Sequence, residues 1–161
     1  FSVCAALAGA KTVSLDLSKK YLDWGRRNFA LNDLPLQDHD FIFGDVFEWA
    51  RRFEKKQRQF DLIILDPATF SQPKGGSPFQ AEKHYGKLVA AVLPLLRKGG
   101  VILASSNAHK LPPEQFLKQI EEVLRHKNRR ILQQHYVPQP VDFPVHQQEP
   151  AYLKTVWLRA S

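Results

Sequence analysis

The stretch Phe60-Asp61-Leu62-Ile63-Ile64-Leu65-Asp66-Pro67-Ala68-Thr69-Phe70-Ser71 decides how this chain folds. An aspartate opens an apolar run, and a second aspartate closes it at a proline. Such a run predicts a strand buried on both faces, as in a parallel sheet covered by helices. Pro67 has no N–H for a ladder, so the strand ends there. Ligands of open α/β sheets bind at the carboxyl ends of the strands. Asp66 and the backbone after it therefore fall where chemistry is expected. Taken alone, an aspartate capping a turn reads equally well.

On either side of this stretch, strand and helix patterns alternate. Residues 2 to 9 read as helix and Lys11 to Asp16 as a short strand. Ser18 suits the cap of a helix running to about Asn32. The next strand runs from Asp40 to Asp45, followed by a helix from Val46 to Lys56. Ser71 to Pro78, with two prolines and two glycines, reads as a loop. A helix from about Gln80 to Arg97 must be kinked or shortened at Pro94. Lys98-Gly99-Gly100 breaks the pattern before a buried strand, Val101 to Ser106. Pro112-Pro113-Glu114 opens a helix to about His126. Residues 130–137 and 152–158 read as strands, and the proline-rich connection between them permits an antiparallel pair. This order predicts a single doubly wound α/β domain spanning residues 1–161.

Composition bounds the function. The chain has 161 residues, 43% of them hydrophobic, enough for a core. No stretch approaches the ~18 to 20 apolar residues of a membrane span. The apolar start lacks the basic leader of a signal peptide. One cysteine, Cys4, excludes an internal disulfide and a cysteine-based zinc cluster. No metal site is expected, and the protein reads as cytoplasmic. The formal charge of +7, from 23 basic against 16 acidic residues, favours an anionic partner such as RNA. Its densest runs, Arg51 to Arg58 and Arg125 to Arg130, also suit the ends of helices.

Asp16, Asp45 and Asp66 close successive strands, and right-handed crossovers predict that all three line one rim. A carboxylate at Asp16 can accept from both hydroxyls of a ribose. Asp45 is placed to accept from an adenine amine, with Val46 or Phe47 against the ring. Each aspartate alone is more often a cap; three together favour an adenosine-type cofactor.

Phe1-Ser2-Val3, Val13-Ser14-Leu15-Asp16-Leu17-Ser18, Asn28-Phe29-Ala30-Leu31-Asn32, Gly44-Asp45-Val46-Phe47 and Leu65-Asp66-Pro67-Ala68-Thr69-Phe70-Ser71 resemble the class I S-adenosylmethionine-dependent methyltransferases. Among them the chain is most similar to the bacterial group that methylates bases of large-subunit (23S) ribosomal RNA. Asp142-Phe143-Pro144 and Tyr152-Leu153-Lys154 resemble that group too. The resemblance implies a Rossmann-like, doubly wound, mostly parallel sheet with an antiparallel C-terminal strand. It implies S-adenosyl-L-methionine as cofactor, held by Phe1, Ser2, Asp16, Leu17, Ser18, Asp45, Val46, Phe47 and Asp66. In the family a first strand and its glycine-rich turn precede the Phe-Ser segment. This sequence starts at Phe1, so the expectation is a piece of a longer enzyme. A gap or open edge in its sheet would invite a homodimer.

Ala68 stands where the group usually has a second proline. The 5-methylcytosine branch needs a thiolate to attack the base, and Cys4 lies in the first helix, so transfer to a guanine nitrogen is favoured. The resemblance then makes Asp66 and the Pro67 carbonyl the acceptors that orient the amine, with Phe70 stacked on the extruded base. Ala68, Thr69, Ser71, Lys74, Ser105, Ser106 and Asn107 would line the substrate side. A catalytically inactive RNA-binding module, a 5-methylcytosine enzyme and a nicotinamide-dependent oxidoreductase of the same architecture stay open as alternatives.

Overall fold

A computed structural model of the chain describes residues 1–72, 77–143, 145 and 151–161. They form two compact units, Phe1–Trp49 and Ala50–Ser161.

In the first unit, helix α1 (Ser2–Leu7) precedes strand β1 (Val13–Asp16), helix α2 (Lys19–Ala30), a 3₁₀ turn (Leu36–Asp38) and strand β2 (Asp40–Phe43). β1 and β2 pair in parallel, with Asp16 opposite Phe43. β1 begins two residues later than the sequence predicts, because Thr12 gives its N–H to Nδ1 of His39 at 3.2 Å. Ser18, in extended conformation, caps α2 as expected: its hydroxyl accepts from the Tyr21 amide at 3.3 Å. Leu22 and Phe29, two turns apart on one face, are buried. The Phe29 ring meets His39 and Phe41 edge-on at 4.8 and 5.1 Å. Helix α3 (Val46–Lys55) begins in this unit and ends in the other.

The second unit continues with β3 (Phe60–Leu65), the short strands β4 (Phe70–Ser71) and β5 (Phe79–Gln80), and helix α4 (Ala81–Val92). A 3₁₀ turn (Leu93–Leu95), strand β6 (Leu96–Ser106), helix α5 (Pro113–His126) and strands β7 (Ile131–Pro138) and β8 (Lys154–Ala160) complete it. Its main sheet has the order β3-β6-β8-β7. β3 and β6 are parallel across the α4 crossover, and β8 runs antiparallel to both of its neighbours. Tyr85, Leu88, Val89 and Val92 of α4 and Phe116, Ile120 and Leu124 of α5 are buried, as are Ile102, Ala104, Val156, Leu158 and Ala160 of the sheet. Burying each larger side chain contributes about 1.5–3 kcal/mol, so this layer is the main source of stability.

Three details depart from expectation. β3 is not buried on both faces: Leu62 is 41% exposed and Leu65 alone of the strand is buried. Its only sheet neighbour among the described residues is β6. Lys98-Gly99-Gly100 does not interrupt β6. Phe60 pairs with Leu96 and Leu62 with Val101, so the extra residues form a bulge, with Gly99 at φ +75°. α4 stops at Val92, five residues early, because Pro94 converts its last turn to 3₁₀.

Candidate active site

In the first unit, β1 ends at Asp16, whose Oδ1 accepts from the Ser18 amide at 2.7 Å. The Gly44 amide donates to the Asp16 carbonyl at 3.1 Å, which brings the end of β2 beside that of β1. Gly44 has φ +154°, and a Cβ there would lie 2.4 Å from Nε1 of Trp49, so only glycine fits this turn. Asp45 follows, its Oδ1 accepting from the amides of Phe47 and Glu48 at 2.9 and 3.1 Å. Both aspartates thus perform the turn and cap roles weighed from sequence, each through Oδ1. Among the described residues the second carboxylate oxygen of each has no hydrogen-bond partner, and the two stand at adjacent strand ends. Val46 and Phe47 are half-buried beside Asp45, Leu17 is exposed, and the Ser2 hydroxyl bonds that of Ser14 at 3.0 Å. Phe1 is largely exposed. Two carboxylates at adjacent strand ends and flanking apolar groups fit an adenosine moiety.

In the second unit, Asp66 follows β3 with its side chain exposed. Phe70, four residues on, is 56% exposed. The turn between them is held at two points. The Ala81 amide donates to the Thr69 carbonyl at 3.0 Å, and the Thr69 hydroxyl donates to Oδ1 of Asn107 at 2.9 Å. Thr69 and Asn107 were both expected on the substrate side, and this bond joins them. Ser71 pairs with Phe79 in the small β4–β5 ladder. Ser105 and Ser106 are buried, and the Ser106 hydroxyl accepts from the Ala108 amide at 3.3 Å. Asn107 is therefore the exposed member of the Ser105–Asn107 segment. Lys74 lies outside the described residues. Cys4 is exposed on α1, in the first unit.

Sequence reasoning missed Tyr85. It is fully buried, its hydroxyl 3.0 Å from the Leu65 carbonyl and 2.9 Å from that of Ser105. It joins the ends of β3 and β6, one residue before Asp66 and two before Asn107. Burial raises its pKa far above the tyrosine range; the Ser105 carbonyl opposes the shift and the Asp66 carboxylate adds to it. A tyrosine on a helix reads as core, so no sequence signal marked this role. Lys154 was also unforeseen as a structural cation. It is buried at the start of β8, donates from Nζ to the Ala108 carbonyl at 2.6 Å, and has its pKa lowered by burial.

Parallel strand pairs with carboxylates at their carboxyl ends define a Rossmann-like α/β protein built for a nucleotide-type ligand. The profile of the S-adenosylmethionine-dependent methyltransferases matches residues 1–159, and the chain belongs to that family. It is 43% identical over 111 residues to the ribosomal RNA large subunit methyltransferase K/L of Shewanella loihica, covering 68% of this chain and 15% of that protein. It is 35% identical over 128 residues to the same-named protein of Alcanivorax borkumensis, covering 77% and 18%. The chain thus spans less than a fifth of the length of these relatives. Among solved structures it is similar to SMU.776, a methyltransferase complexed with SAH, with 32% identity and a TM-score of 0.85 over 98% of this chain and 41% of that one. A SAM-dependent methyltransferase from Streptococcus mutans aligns over the same shares with 30% identity and a TM-score of 0.82.

Proposed function

We propose that this protein is part of an S-adenosylmethionine-dependent enzyme that methylates a base, at a guanine nitrogen, of large-subunit ribosomal RNA. The observation that carries this reading is the turn from Asp66 to Phe70. An exposed carboxylate is followed by an exposed aromatic ring, and Thr69 between them is bonded to Asn107. The relatives named as ribosomal RNA methyltransferases, and the net charge of +7, support RNA as the acceptor.

Asp16 would accept from the ribose hydroxyls of the cofactor and Asp45 from its adenine amine, with Phe1, Ser2, Leu17, Ser18, Val46 and Phe47 around it. When bound, S-adenosylmethionine supplies an electrophilic methyl group, so the protein chiefly aligns and holds. The Asp66 carboxylate and the Pro67 carbonyl accept from the amine of the base and aim its lone pair. Phe70 stacks on the extruded base, a use of aromatic side chains common to enzymes that act on unstacked bases. Cys4 lies on α1 and not within the Asp66–Ser71 turn or the Ser105–Asn107 segment, which supports nitrogen over the thiolate-dependent carbon chemistry. A cytoplasmic location follows from a ribosomal substrate. Among the described residues no helix is long and apolar enough to cross a membrane. Self-association through the edge of β3 that does not pair with β6 belongs to the same proposal; a monomer by light scattering would remove it.

The test is transfer of labelled methyl from S-adenosylmethionine to unmodified large-subunit ribosomal RNA by the intact protein. Incorporation into guanine, lost on Asp66→Ala, is expected. Tight RNA binding with no transfer would instead identify an inactive binding module.

A further inference from the structure

His109 and Tyr152 form a stacked ring pair, with centroids 4.4 Å apart and planes 23° from parallel. Tyr152 is half-buried and His109 is exposed. Aromatic pairs gain from offset stacking. Here the outer imidazole faces solvent.

Both rings sit on fixed backbone. Ala108, just before His109, is fully buried. Its amide donates to the Ser106 hydroxyl, and its carbonyl accepts from Nζ of Lys154 at 2.6 Å and from the Leu111 amide at 3.1 Å. On the other side, Oε1 of Gln139 accepts from the amides of Tyr152 and Leu153 at 3.1 and 3.2 Å. This Gln139 clip and the buried Lys154 hold the two rings face to face before any ligand arrives. Asn107, two residues from His109, is the partner of Thr69, which precedes the exposed Phe70. Two exposed rings thus stand on linked loops at the carboxyl ends of β3 and β6, with the exposed Lys110 beside the second.

We infer that the His109–Tyr152 pair is a stacking platform for an unpaired nucleobase of single-stranded RNA, flanking the base held at Phe70, with Lys110 on the adjoining phosphate. This rests on RNA being the substrate. Base-on-aromatic stacking tolerates any base, because every base offers a flat face. A target base turned out of its helix leaves a neighbour unstacked, and a preorganised ring pair accepts it with little ordering cost.

The test is filter binding of unmodified large-subunit ribosomal RNA, and of poly(U), to the intact protein and its variants across a salt series. His109→Ala should weaken both by about fivefold to a hundredfold. His109→Phe should stay within about threefold of wild type, since it keeps the flat face. The salt slope should not change in either, whereas Lys110→Gln should lower it by about one. S-adenosylhomocysteine titration shows that each variant is folded. Unchanged RNA affinity in His109→Ala overturns the platform alone. A loss that comes with a reduced salt slope also overturns it, because the effect is then electrostatic. Wild-type protein that binds S-adenosylhomocysteine but no RNA overturns both the platform and the RNA reading.

Discussion

The hydroxyl of Tyr85 lies 3.0 Å from the carbonyl oxygen of Leu65, the last residue before the Asp66 turn. The same hydroxyl lies 2.9 Å from the Ser105 carbonyl, so one buried group joins two strand ends. Tyr85→Phe removes the single hydroxyl hydrogen that these two carbonyls share. Such a loss costs about 1–3 kcal/mol, which urea unfolding with an unchanged m-value should record. Small displacements of aligned groups are costly, so methyl transfer should fall by up to about a hundredfold. Affinity for S-adenosylhomocysteine should hold, because the Asp16 and Asp45 carboxylates are untouched.

Tyr85 also sets an alkaline limit. Its folded pKa lies above its unfolded value near 10. Above about pH 10 the unfolded chain therefore releases a proton that the native state keeps, and stability falls as pH rises. Lys154 acts in the opposite sense. Its folded pKa is lowered, so the cost of its buried charge is relieved as pH rises toward the unfolded value near 10.5. Denaturant unfolding from pH 8 to 11 should show a decline above pH 10 that is shallower in Tyr85→Phe. Lys154→Met should lose the compensating gain just below that range.

Gly44→Ala should destabilise by about 1–3 kcal/mol, the usual cost of forcing a side chain into a strained backbone region. The added Cβ would meet the Trp49 indole at 2.4 Å. The displaced turn would also carry Asp45 off its amides, so cofactor affinity should drop with thermal stability. Wild-type stability in this variant would contradict the close approach.

Asp66→Ala should behave differently. The side chain is exposed, so stability should stay within about 0.5 kcal/mol of wild type. Methyl transfer should fall by about a hundredfold or more, since an aligning acceptor is lost. Thermal unfolding and single-turnover transfer on the same preparation separate the two.

Much of this was readable from residues whose effects are local. Ser18 caps α2 because its side chain reaches an amide three residues away. Pro94 ends α4 because its ring cannot continue the helix. The Asp16 and Asp45 turns follow from strand ends that polar residues mark. The rest depended on partners distant in sequence. Gly99 and Gly100 look like a break until the pairing of Phe60 with Leu96 and Leu62 with Val101 turns them into a bulge. The apolar run of β3 says nothing about which faces are covered; sheet neighbours decide that, and Leu62 stays partly exposed. The joining of β3 to β6 by Tyr85, and the Lys154 bond to Ala108 across 46 residues, leave no local pattern.

The most direct test of the proposed cofactor site is calorimetric titration of S-adenosylhomocysteine into the intact protein and into Asp16→Ala. Binding by the wild type that weakens at least about tenfold in the variant is expected, since one or two hydrogen bonds from a charged acceptor are lost. Equal affinity in both would contradict the assignment of the β1–β2 strand ends as the adenosine site, and absence of binding in both would contradict the methyltransferase reading itself.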